Sequence, residues 1–408
     1  MFVRHIKKLL EKALGRSPIV LLNGARQVGK STLAHQIQQE SPYTYLTFDD
    51  EVVYAAAKND PAGFVAQLTK PVIIDEVQRV PELFLPLKID VDNNRTPGRY
   101  LLTGSANPLL IPRLGDSLAG RMEIVELMPL SQGEIIGQQE TCIDNLFLDR
   151  PLAQPQGHLS REELYARIIR GGYPSVQTMD DEDADAWMRS YINLLLQRDI
   201  KDLAQIEKIT ELPNLLTILA HRSSNLLNVA EVARDCKMVT QTVHRYMSLL
   251  ETIFLITLHQ PWHTNLSLRF IKSPKMYMVD TGLLSYLTGL TVERSKQEQV
   301  LMGKIIENFI VMELKKAATW SITKPAFYHF RTSDGKEVDI ILENRAGQII
   351  AIEIKASNTV NAHDFKGIKF LQEKVPHRLI KGIVLYSGSQ MVPFGNNLYA
   401  VPIPYLWA

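Results

Sequence analysis

The nine residues Gly24-Ala25-Arg26-Gln27-Val28-Gly29-Lys30-Ser31-Thr32 constrain the fold more than any other stretch of this chain. They satisfy the pattern G-x-x-x-x-G-K-[ST] in full. The apolar run 17–23 before them reads as a strand, and the run 32–37 after them reads as a helix. A strand, a tight turn and a helix N-terminus are what phosphate binding needs. Gly24 and Gly29 permit backbone angles that a Cβ disfavours, so successive N–H groups can curl around phosphate oxygens. The positive end of the helix dipole adds to that field. All nine residues are therefore expected to bind ATP, with Lys30 reaching the β- and γ-phosphates and the Ser31 hydroxyl ligating Mg²⁺.

Downstream, Pro71-Val72-Ile73-Ile74-Asp75-Glu76 is a short apolar strand ending in two carboxylates. A strand apolar on both faces belongs in a buried parallel sheet, whose C-terminal edge is where such sheets bind ligands. Asp75 is expected to hold Mg²⁺ through its water shell, and Glu76 to polarise the attacking water. A second strand is expected over 43–48, and another over 99–104 that ends in the polar turn Ser105-Ala106-Asn107. In ATPases with an extra strand between the phosphate-loop and Asp-Glu strands, a polar residue at this turn orients the water; Ser105 and Asn107 both qualify. Arg121, just before the strand 122–127, is placed to sense the γ-phosphate or to act on a neighbour's nucleotide, with Arg113 as a weaker rival. A solvated surface arginine is the alternative for Arg121.

With 408 residues the chain exceeds one ordinary core and calls for two to three domains. A net charge of +1 leaves no polybasic tail, so any nucleic-acid site must be a local patch. Two cysteines, Cys142 and Cys236, argue against a Cys-rich zinc site and a disulfide framework, which suits a reducing compartment. The first sixteen residues read as a basic amphipathic helix rather than a signal peptide, and no apolar run is long enough to span a membrane. The expectation is a cytoplasmic protein with no membrane partner.

Several runs together resemble an AAA-type ATPase of a widespread prokaryotic (archaeal-like) family: NGARQVGKSTL (23–33), FDD (48–50), VIIDEVQRVPEL (72–83), LLTGSAN (101–107), SLAGR (117–121) and LMPLSQGEI (127–135). In that family the ATPase core is joined to a C-terminal domain labelled only as uncharacterised. The match continues through GGYP (171–174), RDI (198–200), KMYMVDTGLLSYLTG (275–289) and EVDIILE…EIKAS (337–357). The resemblance covers nearly the whole chain and implies the ATPase fold and ATP use.

The α/β core is expected over 1–137, and a linker with a helical connector over 138–208. Residues 138–160 carry Pro151, Pro155 and Gly157 and read as a connection. Arg198-Asp199 is expected to form a local ion pair or to reach the nucleotide. Over 209–295, three short helices followed by an apolar strand have the order of a winged helix-turn-helix. If it meets DNA, Gln241, Thr242, His244 and Arg245 would face the major groove. The visible supply for phosphate neutralisation around these helices is thin: Arg222, Arg234, Lys237 and Arg245. His259 and His263 have metal-ligand spacing, but Pro261 precludes a regular helix between them.

Over 296–408 the order is helix, three strands, helix and strand, the core order of the restriction-endonuclease-like fold, with a final short strand near Leu398. Asp339 interrupts an apolar strand. Glu353 and Lys355 alternate at the end of the next strand and so share one face. This D…E-x-K arrangement resembles the PD-(D/E)XK nucleases. The resemblance implies Mg²⁺ on Asp339 and Glu353, with Glu307 at a fourth position and Lys355 helping to deprotonate water. Three functions stay open: an ATPase coupled to a nucleic-acid-facing C-terminal half, an ATP-regulated DNA endonuclease, and a nucleotide-gated protein-interaction module. Homo-oligomers follow if Arg121 acts across a subunit boundary.

Overall fold

A computed structural model describes residues 2–105, 118–148, 152, 159–199, 209–265, 269 and 273–407. The chain forms two compact units: residues 1–130 with 248–255, and residues 131–247 with 256–408.

The first unit is built on five strands: β1 (Ile19–Asn23), β2 (Thr44–Thr47), β3 (Val72–Asp75), β4 (Tyr100–Gly104) and β5 (Met122–Glu126). Their order is β2-β3-β4-β1-β5, and every neighbouring pair is parallel. Strand β4 therefore lies between the phosphate-loop strand and the Asp-Glu strand. β1, β3 and β4 are buried at every position, as expected for central strands covered on both faces. Ile19, Leu21, Val72, Ile74, Tyr100 and Leu102 form one core with Phe48 and with Leu87 of the helix Phe84–Asn93. The N-terminal helix is shorter than its sequence pattern, Lys7–Leu14, and buries Leu10, Ala13 and Leu14. Asp50, shortly after the second strand, caps the helix Glu51–Asn59 by accepting from the N–H groups of Val52 and Val53.

Short helices follow one another at Leu212–His221, Val229–Asp235 and Thr240–Thr252. The first two belong to the second unit, and the third runs through the point in the sequence where the chain passes from one unit to the other. An antiparallel pair follows, β6 (Ile256–His259) with β7 (Lys275–Met278). The segment expected to be a plain connection also holds a helix, Cys142–Phe147, which buries Cys142, Ile143 and Leu146. Two distant glycine motifs meet through one buried carboxylate. Asp280 accepts from Gly172 N at 2.7 Å and from Leu283 N at 2.9 Å, capping the helix Thr281–Thr288. A Cβ on Gly171 would stand 2.5 Å from that carboxylate.

The long helix Gln299–Trp320 precedes a six-stranded sheet of β8 (Ala326–Arg331), β9 (Glu337–Glu343), β10 (Ile349–Lys355), β11 (Leu379–Tyr386), β12 (Val392–Gly395) and β13 (Leu398–Pro402). The sheet order is β12-β13-β11-β10-β9-β8. β8, β9 and β10 form an antiparallel meander, whereas β10, β11 and β13 run parallel. Helix Lys366–Lys374 provides the crossover between β10 and β11, burying Ile368 and Leu371 against Val338, Ile341 and Val384. Strand β12 has no counterpart among the strands expected from sequence, because its residues are mostly exposed and carry no apolar alternation.

Candidate functional site

In the first unit, Gly24 (φ 153°), Gln27 (φ 63°) and Gly29 (φ 97°) turn the loop between β1 and the helix Lys30–Glu40. A Cβ at Gly24 would lie 2.0 Å from the Leu127 carbonyl oxygen, so close backbone approach demands glycine here. Ala25 and Val28 are buried, while Gln27 and Thr32 face outward. Lys30 is buried at the helix start, and its ammonium donates to the Gly24 and Ala25 carbonyls at 3.0 and 2.8 Å. Arg4 pins the loop from behind, donating to Val28 O at 2.7 Å and Met128 O at 2.6 Å.

Ser31 Oγ donates to Asp75, with oxygens at 3.2 and 3.0 Å. Thr103 Oγ1 and the Tyr45 hydroxyl also donate to this carboxylate, the latter at 2.8 Å. Burial and the Asp75 hydrogen bond push the Tyr45 phenol upward, so it stays protonated and donating. A hydroxyl beside a carboxylate at a helix N-terminus is a hard oxygen donor set that fits Mg²⁺ carrying water ligands. Glu76 follows with φ 60°, a left-handed conformation uncommon for a residue with a side chain. Its N–H donates to Thr103 Oγ1 at 3.1 Å. Gln78 donates to the Glu76 carboxylate and to Ser105 Oγ, the latter at 2.9 Å. The start of the turn after β4 is thereby joined to Glu76. Asn107 and Arg113 lie outside the described residues. Arg121 forks onto Asp92, with Nε–Oδ1 at 2.6 Å and Nη2–Oδ2 at 3.0 Å.

In the second unit, the side chains drawn from the nuclease-like pattern converge, joined by two residues outside that pattern, Lys275 and Glu337. Lys275 of β7, 2 % exposed, lies 3.0 Å from Glu307 Oε1, 2.8 Å from Glu337 Oε1 and 3.0 Å from Asp339 Oδ1. Asp339 Oδ2 accepts from Ile354 N at 3.0 Å, and Tyr277 donates to Glu307 at 2.9 Å. Lys355 donates to Glu353 Oε1 at 3.0 Å, while Glu353 Oε2 is buried without a partner. Burial, and next the charge of Asp339, push both Glu307 and Glu353 up to about 8. Burial opposes the charge on Lys275, but Asp339, Tyr277, Glu307 and Glu337 outweigh it and hold its pKa well above the ordinary value. Of the carboxylates expected to hold or flank Mg²⁺, Asp339 and Glu307 thus carry the Lys275 ammonium, while Glu353 pairs with Lys355. Among the described residues, no group of three or more His, Cys, Asp or Glu side chains is arranged to hold a metal ion. His259 is buried against Tyr277 and Phe327 with both ring nitrogens unpartnered.

On the third helix of the expected winged module, Gln241, His244 and Arg245 are exposed and Thr242 is half-buried. Arg222, counted for phosphate contact, is instead paired with Glu231 at 2.9 Å and Asp235 at 2.6 Å. The side chains of Arg198 and Asp199 lie outside the described residues. Among the described residues, no helix is long and apolar enough to cross a membrane.

A parallel sheet with an inserted strand, a full phosphate loop and a paired Ser31–Asp75 define a nucleotide-binding P-loop domain of AAA type. Residues 16–136 match the AAA domain family, 161–294 a domain of unknown function (DUF8612), and 302–406 a second one (DUF4143). The uncharacterized protein Rv2008c of Mycobacterium tuberculosis is 31% identical over 395 residues, covering 96% of this chain and 82% of that protein. The chain belongs to this family of AAA-type ATPases with a C-terminal domain of unknown function. The uncharacterized protein MJ1544 of Methanocaldococcus jannaschii is 22% identical over 98% of this chain and 90% of its own length. Among solved structures, the Walker-type ATPase PABY2304 of Pyrococcus abyssi aligns with a TM-score of 0.42 and 17% identity, over 70% of this chain and 96% of that one.

Proposed function

We propose that the chain is a Mg²⁺-dependent ATPase that couples its nucleotide state to a nucleic-acid-facing C-terminal half. The observation that carries the ATPase reading is Ser31 Oγ held against both Asp75 oxygens beside the glycine-turned loop. Loop N–H groups and Lys30 would bind the phosphates, and Ser31 and Asp75 would hold Mg²⁺, which would supply neutralisation of the phosphate charge. Glu76, held by Gln78, accepts a proton from water as the water oxygen bonds to the γ-phosphorus and the bond to the β-phosphate oxygen breaks. Ser105, on the same Gln78, is suited to orienting that water. A finger role for Arg121 on a neighbouring copy's phosphate would require it to exchange Asp92 for that phosphate.

The nucleic-acid reading is supported by the helix-helix-helix-strand order over 212–259 and by the exposed Gln241, His244 and Arg245. The decisive experiment measures phosphate release with and without duplex, single-stranded and branched DNA. Stimulation by one form supports the coupling and names the substrate. Equal turnover in every case, with no DNA retained at low salt, overturns the nucleic-acid part and favours a protein partner.

A further inference from the structure

Lys275 has three N–H donors, and three carboxylates stand around it at 2.8–3.0 Å. It donates hydrogen bonds to Glu307 and Asp339 and pairs its charge with Glu337. Two of the oxygens a metal would need are also engaged elsewhere: Asp339 spends its second oxygen on Ile354 N, and Glu307 Oε1 accepts from Tyr277 as well, which leaves the buried Glu353 Oε2 as the unpartnered oxygen of the expected set. Mg²⁺ holds its oxygens at about 2.0–2.1 Å in near-ideal octahedral geometry. An ion at this place would bring a buried, fully paired ammonium into contact with a divalent positive charge. Displacing Lys275 would leave that ammonium desolvated and unpaired, since the side chain is 2 % exposed. The residues present therefore do not fit a divalent ion.

We infer that the Lys275 ammonium is the resident cation of the acidic pocket formed by Glu307, Glu337 and Asp339, standing where nucleases of similar fold hold a divalent metal. The pocket is a buried node of hydrogen bonds and ion pairs joining β7, the helix Gln299–Trp320 and β9. No metal-activated water forms there, so the second unit does not cut phosphodiesters by that route. The node and the phosphate loop are different sites, so failure of the ATPase reading would leave the node untouched.

The test uses the full chain carrying Asp75→Asn, which removes the carboxylate of the ATPase site, and titrates Mn²⁺ by electron paramagnetic resonance without nucleotide. With Lys275 present, no Mn²⁺ site that depends on Asp339 is expected at dissociation constants below about 1 mM. Replacing the ammonium in Lys275→Met or Lys275→Gln is expected to create one such site, which Asp339→Asn then abolishes. Mn²⁺ bound in an Asp339-dependent way while Lys275 is intact overturns the inference. So does a folded Lys275 variant that gains no site. If both variants fail to fold, the Lys275-intact titration decides alone.

Discussion

Ser31 Oγ stands 3.2 and 3.0 Å from the two oxygens of Asp75, although 44 residues separate them in the chain. Helix and strand each deliver one partner, the serine from the first turn after Gly29 and the aspartate from the end of β3. The pair is the oxygen-rich corner of the phosphate cradle, and the residues around it divide into those that bind and those that react.

On the proposed mechanism Glu76 is the group that takes the proton from water. Replacing it by glutamine keeps its shape but removes the base, so Glu76→Gln is expected to lower turnover by about 10²–10⁴-fold. ATP binding, followed by fluorescence of a labelled nucleotide, should change little. Loss of binding comparable to the loss of turnover would contradict the assignment.

Gln78 holds that carboxylate and Ser105 together. Removing a hydrogen bond to a charged group costs about 1.5–3 kcal/mol, so Gln78→Ala should slow turnover by roughly 10–100-fold. Because Gln78 acts through its neighbours, the effect should fall on kcat and leave KM for ATP nearly unchanged. Restoration by Gln78→Asn would show that geometry matters less than the amide itself.

Gly24→Ala puts a methyl group 2.0 Å from the Leu127 carbonyl oxygen at φ 153°. Backbone must move, and a loss of about 1–3 kcal/mol of stability is expected. Thermal unfolding of the full chain checks this. An unchanged melting temperature would mean that the loop relaxes freely.

Glu140 offers a test of the second unit. Burial, and next the charge of Glu313, push its carboxyl from 4.5 up to about 8, while Gly133 N donates to it at 2.7 Å. Well below the ordinary carboxyl range, folded and unfolded chains both hold the proton and its contribution to stability is complete. As the pH rises through that range and on to about 8, the unfolded chain has released a proton that the folded chain keeps, so stability falls across that window. Glu140→Gln should flatten this slope in denaturant titrations; an identical slope would contradict the account.

The first unit is legible in the sequence because its chemistry is written in contiguous residues. Gly24 to Thr32, Asp75 and Glu76 each sit at the edge of an apolar strand, where the sequence pattern fixes their place in the fold. Arg4, Tyr45, Gln78 and Thr103 carry no such mark, because each acts through tertiary contact with no spacing to announce it. Lys275 shows the limit most clearly. It lies in a run that carries the family resemblance, yet nothing in β7 reveals that Glu307, Glu337 and Asp339 will close around it. A lysine on an otherwise apolar strand is a weak signal of buried pairing, and it becomes specific only when the carboxylates arrive from two other elements. The Gly171-Gly172 motif is similar: its reason is Asp280, more than a hundred residues later.

The most direct test of the central claim is steady-state phosphate release by the full chain with ATP and Mg²⁺, compared with Lys30→Ala. The account predicts turnover in the native chain, its loss on chelation of the metal, and little or none in Lys30→Ala while the variant keeps its native melting temperature. Equal release by the two proteins would contradict it.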